Sequence, residues 1–281
     1  LSMARYSDVF LDESFDDVLE RVTVIGDRGP STTASDGNRD GVHIESLGGS
    51  FRRLSLVDLS STDNGQHGVY ANLGFDEILD IDGGLLSRND SHGLYVLGFS
   101  NTGVWNDLVV SNNAYGVRSI GAIEINRAWI DNNETPIPSS AYYTYNDGCG
   151  NTILAVRQIL SEPGYGLDHQ GGRPIVIRDS RFTNQRIAAV IDFGEVYDSE
   201  FSQNNIALQI SQGVVAGNSI HNNSLGLTNR VAMEPHHRLG RSYMATGSFP
   251  GASLAVRNNL IYGNYLDELH VNDSVTIETD Y

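Results

Sequence analysis

Basic residues of one kind are missing from this 281-residue sequence. It contains no lysine, so all 18 basic residues are arginines, against 35 acidic residues and a formal net charge of −17. Without lysine the chain cannot use a Schiff base, a P-loop lysine or a lysine general base. An acidic chain also binds nucleic acid poorly, because that binding depends on cations that displace the counterions of phosphates. We therefore expect no nucleic-acid partner.

Cysteine and long apolar runs are scarce as well. The single cysteine, Cys149, cannot form an internal disulfide and has no Cys or His neighbour at metal-ligand spacing. No apolar run approaches the ~20 residues of a membrane-spanning helix, so we expect no membrane span. No stretch keeps a 3.6-residue apolar period over three turns, which argues against amphipathic helices.

Glycine and asparagine, by contrast, are abundant, at 30 and 24 residues. A short segment beginning with a small residue, glycine in most copies, recurs along the chain. Its starts at 41, 68, 93 and 116 are 27, 25 and 23 residues apart, and further copies begin at 141, 166, 188, 207, 226 and 268. Short β-branched segments lie between the copies. Two or three short strands in each ~25-residue coil predict an all-β fold, a single-stranded right-handed parallel β-helix of about ten coils.

The repeats run through the whole chain, so we expect residues 1–281 to form one domain with loop insertions near 27–38 and 229–253. The first strand, near residues 8–11, already resembles a mid-helix coil, although a solenoid needs a cap. We therefore expect the sequence to be part of a longer chain. Its acidic, lysine-free and cysteine-poor composition suits an exported bacterial protein, secreted or at the cell surface, and we expect a monomer.

Asparagines recur at one place in the repeat, four residues before the small residue. Stacked asparagines can hydrogen-bond to each other and to turn backbone, so the pattern predicts an internal ladder at one corner. The predicted members are Asn64, Asn89, Asn112, Asn184, Asn222 and Asn264.

Alternation along each strand places one residue of every repeat in the core and its neighbours outside. The predicted core column is Val42, Val69, Leu94, Val117 and Leu167. Coils stack about 4.8 Å apart, so outward residues form columns. In the first six coils two such columns are aromatic and polar, whereas later coils carry mostly aliphatic residues. We call the polar part the stripe: Asp40, His43, His67, Tyr70, His92, Tyr95, Tyr115, Arg118, Ser140, Tyr143, Tyr165 and Asp168.

The stripe has the residue types of a carbohydrate site. Aromatic faces bind the apolar faces of sugar rings, and Asp, His and Arg bond to hydroxyls or carboxylates. Two coils span about 9.6 Å, close to an extended disaccharide. We therefore predict a groove for a linear polysaccharide, although stacked Tyr and His also stabilise adjacent strands without any ligand. The predicted binding residues are Asp40, His43, His67, Tyr70, Tyr95, Arg118 and Tyr143.

Two reactions suit these residue types. A lyase or an epimerase removes the proton α to a uronate carboxylate, which requires a cation and an acid–base pair. Arg118 could neutralise the carboxylate, while His92 and either Tyr115 or Tyr165 could supply acid and base. Hydrolysis instead needs two carboxylates about 5 to 9.5 Å apart. Asp40 and Asp168 are five predicted coils apart, so proton abstraction is the favoured reaction.

The sixth repeat and three short motifs after it resemble a known protein family. The stretch 164–169, Gly-Tyr-Gly-Leu-Asp-His, is followed by Ile-Arg-Asp-Ser at 177–180, Asp-Ser-Glu-Phe at 198–201 and Asn-Asn at 204–205. Together they resemble the catalytic region of the secreted mannuronan C5-epimerases, which have Tyr-Gly-Phe-Asp-Pro-His on a right-handed parallel β-helix. The resemblance implies that Tyr165, Asp168 and His169 handle the proton and the carboxylate. The family's proline is missing here, which moves His169 by one position.

The net charge of −17 would repel an anionic polyuronate unless Arg118 and its neighbours, or bound Ca²⁺, supply local positive charge. Ca²⁺ is the one cofactor that we consider. A rival class also fits the repeats: a non-catalytic solenoid that binds glycan or serves as a structural module of an adhesin or a phage tail protein. Such a module would show the same ladder and stripe without turning over a substrate.

Overall fold

The computed structural model describes residues 7–12, 17–26, 40–45, 52–74, 76–98, 102–133, 140–146, 152–158, 164–229, 254–270 and 275–278. These residues contain 26 strands, numbered in chain order, and no helix. Twenty-four strands join one parallel sheet that winds through ten coils, so the predicted parallel β-helix is confirmed. The predicted insertions, 27–38 and 229–253 apart from Asn229, lie outside the described residues, as does Cys149.

Each coil contributes to three faces. The front face consists of β1 (Ser7–Asp12), β4 (Asp40–Glu45), β6 (Val69–Asn72), β8 (His92–Leu97), β10 (Tyr115–Ile120), β15 (Tyr165–Gln170), the first halves of β18 (Ile187–Tyr197) and β20 (Ile206–Ala216), β22 (Leu225–Thr228) and β25 (Asp267–His270). We call these ten strands rungs 1 to 10. Each rung pairs in parallel with the next.

The other two faces are built in the same way. The second face contains β2 (Asp17–Glu20), β5 (Arg52–Thr62), β7 (Glu77–Ser87), β9 (Gly103–Ser111), β11 (Ile123–Asn126), β16 (Ile175–Arg178), β23 (Leu254–Arg257) and β26 (Val275–Glu278), with the second halves of β18 and β20. The third face contains β3 (Thr23–Ile25), β12 (Trp129–Asp131), β17 (Arg181–Thr183), β19 (Glu200–Ser202), β21 (Ser219–His221) and β24 (Leu260–Tyr262). Strands β5, β7 and β9 bend into it.

The predicted core column is confirmed. Val42, Val69, Leu94, Val117 and Leu167 lie in one register and are at most 2% exposed. Larger side chains fill the interior behind the other two faces, including a fully buried Phe182–Phe201 pair whose rings stack 4.8 Å apart. The aliphatic interior therefore runs continuously along the helix axis.

Close packing at the corner explains why a small residue begins each repeat. At Gly68, an added Cβ would lie 2.6 Å from the Gly93 carbonyl oxygen and 2.7 Å from the Asn89 side-chain nitrogen. Such distances are far inside van der Waals contact, so the corner accepts a backbone without a side chain. The repeat glycine thus makes room for the ladder beside it.

The asparagine ladder exists, but the sequence pattern misplaced part of it. The side-chain oxygen of each member accepts the backbone N–H of the member in the preceding coil, and in five of the seven steps also that member's side-chain amide. The members along eight coils are Asn64, Asn89, Asn113, Asn133, Gln185, Asn204, Asn223 and Asn264. Asn64, Asn89 and Asn264 are confirmed as predicted members. Asn112, Asn184 and Asn222 are not members, because each occupies the left-handed position just before the ladder residue, with φ of 54–58°. The turn after the ladder residue is one residue shorter in these coils.

The predicted coil at 141 is wrong. Rung 5 pairs directly with rung 6, so Val117 lies beside Leu167. Residues Ser140–Asn146 (β13) and Thr152–Gln158 (β14) instead form an antiparallel hairpin outside the main sheet. The hairpin lies in an insertion between Asn133 and rung 6 whose length equals one repeat, which is why the period missed it. Tyr143 and Ser140 therefore do not belong to the stripe, and Asp40 and Asp168 are four rungs apart.

Candidate functional site

The stripe occupies the outward positions of rungs 2 to 6. One column contains His43, Tyr70, Tyr95, Arg118 and Asp168, which pair in register from rung to rung. The other contains Asp40, His67, His92, Tyr115 and Tyr165. The register from rung to rung thus places these ten residues in two columns of one face, which lie three residues apart in each rung. Because strands keep them about 4.8 Å apart, they form one continuous surface.

Sequence reasoning missed a third outward column on the same rungs. It contains Glu45, Asn72, Leu97, Ile120 and Gln170, two residues after the column that begins with His43. The same alternation rule would have found it, because residues i and i+2 share a face. Glu45, Asn72 and Gln170 add polar groups to the surface.

The aromatic rings of the stripe stack on one another rather than standing free. Tyr70 lies between His43, at 4.7 Å between ring centroids, and Tyr95, at 5.6 Å and nearly parallel. The other side of the Tyr95 ring faces the Arg118 guanidinium at 5.7 Å. In the neighbouring column, His92 lies 5.2 Å from His67 and stacks on Tyr115 at 4.8 Å.

This stacking changes how the surface can bind a sugar. Both faces of Tyr70 and Tyr95 are covered by neighbours in their own column. The expected contact between an aromatic face and the face of a sugar ring is therefore blocked at these two positions. Ring edges and polar atoms remain available, so this part of the stripe is suited to hydrogen bonds with hydroxyls and carboxylates.

The histidines in the middle of the stripe are held neutral. Burial lowers the pKa of His67 to about 4, although the Asp40 charge partly opposes the shift. Burial, with the charges of His67 and Arg118, lowers the pKa of His92 well below its ordinary value. The His92 backbone N–H donates to His67 Nδ1 at 3.3 Å, which leaves the His67 proton on Nε2. Burial and neighbouring acidic groups also raise the pKa of Tyr70.

Rung 2 forms an acidic end of the stripe. The buried Asp40 side chain contacts His43 Nδ1 at 2.8 Å and accepts the His67 backbone N–H at 3.1 Å. The other ring nitrogen of His43 faces a Glu45 carboxylate oxygen at 3.3 Å. Glu45 also accepts a 2.7 Å hydrogen bond from Asn72. Asp40 is fully enclosed, whereas Glu45 keeps a third of its side chain exposed.

Rungs 5 and 6 carry a different arrangement, centred on a cation. Arg118 Nε lies 3.8 Å from an Asp168 oxygen, and it is buried without a hydrogen-bond partner. Gln170 donates to both oxygens of Asp168, at 2.9 and 3.1 Å. Tyr115 and Tyr165 precede Arg118 and Asp168 by three residues in the adjacent column. A guanidinium, a carboxylate held by Gln170 and two phenols therefore lie on two adjacent rungs of one face.

His169 does not face this area. It lies in the inward column after Asp168, is fully buried, and contacts Ser119 Oγ at 2.8 Å through Nδ1. Its Nε2–H donates to the Arg173 carbonyl oxygen at 2.8 Å. Burial lowers its pKa. The missing proline is the physical reason, because a shift of one residue along a strand reverses the side of the side chain. Gln170 occupies the outward position in its place.

Across the described ranges, no group of three or more His, Cys, Asp or Glu could hold a metal ion. None of the described residues belongs to a helix long and apolar enough to cross a membrane.

The fold and the outward columns of the front face together define the class of protein, which is a parallel β-helix with one polar, aromatic face. No family model matches the chain, and no curated protein matches it. Among solved structures it is similar to the A-module of the mannuronan C-5 epimerase AlgE4 of Azotobacter vinelandii, with a TM-score of 0.51 and 11% identity. The likeness covers 97% of this chain and 78% of that chain. At this identity it shows a shared fold.

Proposed function

We propose that the front face binds a linear polysaccharide and that Tyr115, Arg118, Tyr165 and Asp168 remove the proton α to a uronate carboxylate. The observation that carries the proposal is the state of Arg118. Its Nε is buried without a hydrogen-bond partner, while the guanidinium lies between an aromatic ring and a carboxylate. A buried donor without an acceptor costs free energy, and the Arg118 side chain is still 26% exposed, so the part of the guanidinium that reaches the surface could bind a substrate carboxylate.

The reaction begins when a base on the protein takes the C5 proton of the uronate. The electron pair of the C–H bond moves into the carboxylate, whose additional negative charge Arg118 stabilises. In an epimerase, an acid on the opposite side returns a proton to C5. In a lyase, the pair forms a C4–C5 double bond, the C4–O4 bond breaks and the acid protonates O4. Both outcomes share the first step.

The acid–base pair comes from the adjacent column. His92 is neutral near pH 7 because burial lowers its pKa, and its ring stacks on Tyr115. Tyr115 and Tyr165 lie on the two rungs that carry Arg118 and Asp168, in the adjacent column. Asp168, held by Gln170, orients Arg118.

The similarity to an epimerase module supports this proposal at the level of a fold that can carry polysaccharide chemistry. The activity implies that the protein works outside the cell, where such polymers occur. Ca²⁺ belongs to the proposal as a bridge between the acidic surface and an anionic polymer, and a chelator should then weaken binding of that polymer.

The test uses a panel of polyuronates, read by ultraviolet absorbance for unsaturated products and by proton NMR for epimerisation. Tyr115→Phe and Tyr165→Phe each remove one hydroxyl and keep the ring. One of them should lower the rate by about 10²-fold or more while substrate affinity is kept. Tyr197→Phe on the second face is the matched control and should keep the parent rate. Full activity in both stripe variants would move the chemistry away from rungs 5 and 6.

A second function is favoured by a separate observation, the self-contained stacking of Tyr70 and Tyr95. Rings that cover each other's faces stabilise adjacent strands without any ligand. The chain would then be a non-catalytic module that binds glycan or only builds a solenoid. Glycan binding without turnover by the parent protein on every polymer of the panel would favour this function.

A further inference from the structure

We infer that the substrate carries its uronates at intervals, separated by neutral sugars, and is not a homopolymer of uronate. The inference rests on the proposed function and concerns the distribution of charge along the same groove. It starts from a count over the three outward columns of rungs 2 to 8, all of which are described. These columns contain one arginine, Arg118, and four acidic residues: Asp40, Glu45, Asp168 and Asp192.

Charge along the groove is unevenly distributed. The single cation lies on rung 5, beside Asp168. Rungs 3 and 4 present only uncharged groups in these columns: His67, Tyr70, Asn72, His92, Tyr95 and Leu97. Rung 2 ends the series with the carboxylates of Asp40 and Glu45. The surface therefore changes from the Arg118–Asp168 ion pair to a neutral stretch and then to an acidic end.

The length of a sugar unit determines which groups of the groove each sugar of a bound chain meets, and therefore which charge pattern the groove prefers. One rung is about 4.8 Å and one extended sugar unit has a similar length, so a bound chain places about one sugar on each rung. Glu45 is three rungs from Arg118. A homopolyuronate that binds Arg118 with one carboxylate must leave the next two over neutral groups and bring another towards Glu45. A chain with neutral sugars at those positions meets hydroxyl-binding groups instead.

Arginines beside the columns do not remove this mismatch. Arg88, on the turn that leads to rung 4, donates two hydrogen bonds to Asp63 at 2.9 and 2.5 Å. Arg186 precedes rung 7, so it lies on the far side of Arg118 from Glu45. The protein as a whole has a net charge of −17, which adds a long-range repulsion for polymers of high charge density.

The test keeps one polymer and varies only its charge. Carboxyl reduction converts uronates at random into the corresponding neutral sugars without changing the linkages. The rate per remaining uronate should rise about tenfold as reduction proceeds, because one or two close like-charge contacts are removed, and turnover should end at complete reduction. A rate that falls in proportion to the lost carboxylates would overturn the inference.

Binding is measured on the same polymers in the presence of a chelator, so that the result does not depend on turnover. The partly reduced polymer should bind more tightly than the untreated one. If no polymer is turned over, the proposed reaction fails, yet the order of affinities still decides the present inference. Tighter binding of the untreated polymer would contradict it.

A variant locates the effect on rung 2. Glu45→Gln removes one negative charge and keeps an oxygen for Asn72, so it should raise affinity for the untreated polymer several-fold and change affinity for the partly reduced one little. Glu124→Gln on β11 of the second face makes the same change of net charge away from the groove. An equal gain in both variants would show that only the net charge matters and would overturn the role of rung 2.

Discussion

Rungs 2 to 6 and rungs 7 to 9 share one backbone arrangement but present different outward side chains. The parallel register continues without interruption from Tyr165 to Ile187, Ile206 and Leu225. The column that carries Asp40, two histidines and two tyrosines in the first region is thus aliphatic in the second. The inward column stays small or aliphatic in both regions. The fold therefore does not require the stripe.

A second difference between the two regions shows that a polar feature limited to some of the coils need not be a functional site. At the corner between the second and third faces, a polar ladder of Ser180, Ser199, Asn218 and Asn259 occupies the later coils. Leu59, Leu108 and Ala128 occupy this corner in earlier coils. The ladder members satisfy each other's hydrogen bonds, whereas Arg118 in the stripe keeps a buried donor without an acceptor. A buried N–H donor without an acceptor therefore distinguishes a functional site from a structural ladder better than its restriction to some of the coils does.

The largest effect that we expect concerns pH, and it arises in the first region. His67, His92 and His169 have folded pKa values below their unfolded value, about 4 for His67 against 6.5. The unfolded state therefore binds more protons, so stability is full above pH 6.5 and is lost as pH falls from 6.5 towards 4. Each histidine contributes a slope of up to about 1.4 kcal/mol per pH unit. Denaturant unfolding at several pH values measures the sum.

The variant His67→Asn isolates one of these contributions. Its side-chain oxygen can still accept the His92 backbone N–H, but the titrating group is gone. The pH slope of stability should fall by about one proton. An unchanged slope in His67→Asn would show that this histidine is protonated equally in both states.

Next in size is the loss of the cation from the stripe. Arg118→Ala should lower turnover of a uronate polymer by about 10²- to 10³-fold, the range found when a charge-stabilising donor is removed. The comparison is Gln209→Ala, which lies in the same column three rungs further on, in the later region. It should keep the parent rate. Equal losses in both variants would mean that the two regions do not differ in function.

The smallest expected effect tests what both regions share. Asn113→Ala removes the ladder acceptor of the Asn89 backbone N–H and should destabilise the fold by about 1–3 kcal/mol. The adjacent Asn112→Gly is the control, because glycine tolerates its left-handed φ of 58°. Thermal unfolding compares the two. A larger loss in Asn112→Gly would return the ladder to the position that the sequence pattern predicted.

Much of the fold could be predicted because one rule repeats. The spacing of 41, 68, 93, 116 and 166 was enough to align the core column and the ten stripe residues from rung to rung. The hairpin at β13 and β14 could not be predicted, since an insertion of one repeat length leaves the period intact. In pairs such as Asn112–Asn113, composition does not say which residue takes the left-handed turn and which enters the ladder.

The candidate site was predicted less completely, for physical reasons. Sequence identifies which side chains point outward, but it does not show that Tyr70 and Tyr95 cover each other's faces. His169 was assigned by resemblance, and its burial beside Ser119 follows from a one-residue shift. The unmet Nε of Arg118 depends on exact side-chain geometry, which no spacing rule contains.

The central claim is that the stripe removes the proton from C5 of a uronate, and hydrogen exchange tests it most directly. The parent protein is incubated with uronate-containing polysaccharides in deuterated water, and proton NMR follows the C5 position and the unsaturated products. The account predicts deuterium at C5 or a C4–C5 double bond in the parent, and a loss of both in Arg118→Ala. A parent that binds these polymers, yet produces neither deuterated nor unsaturated sugar, would contradict it.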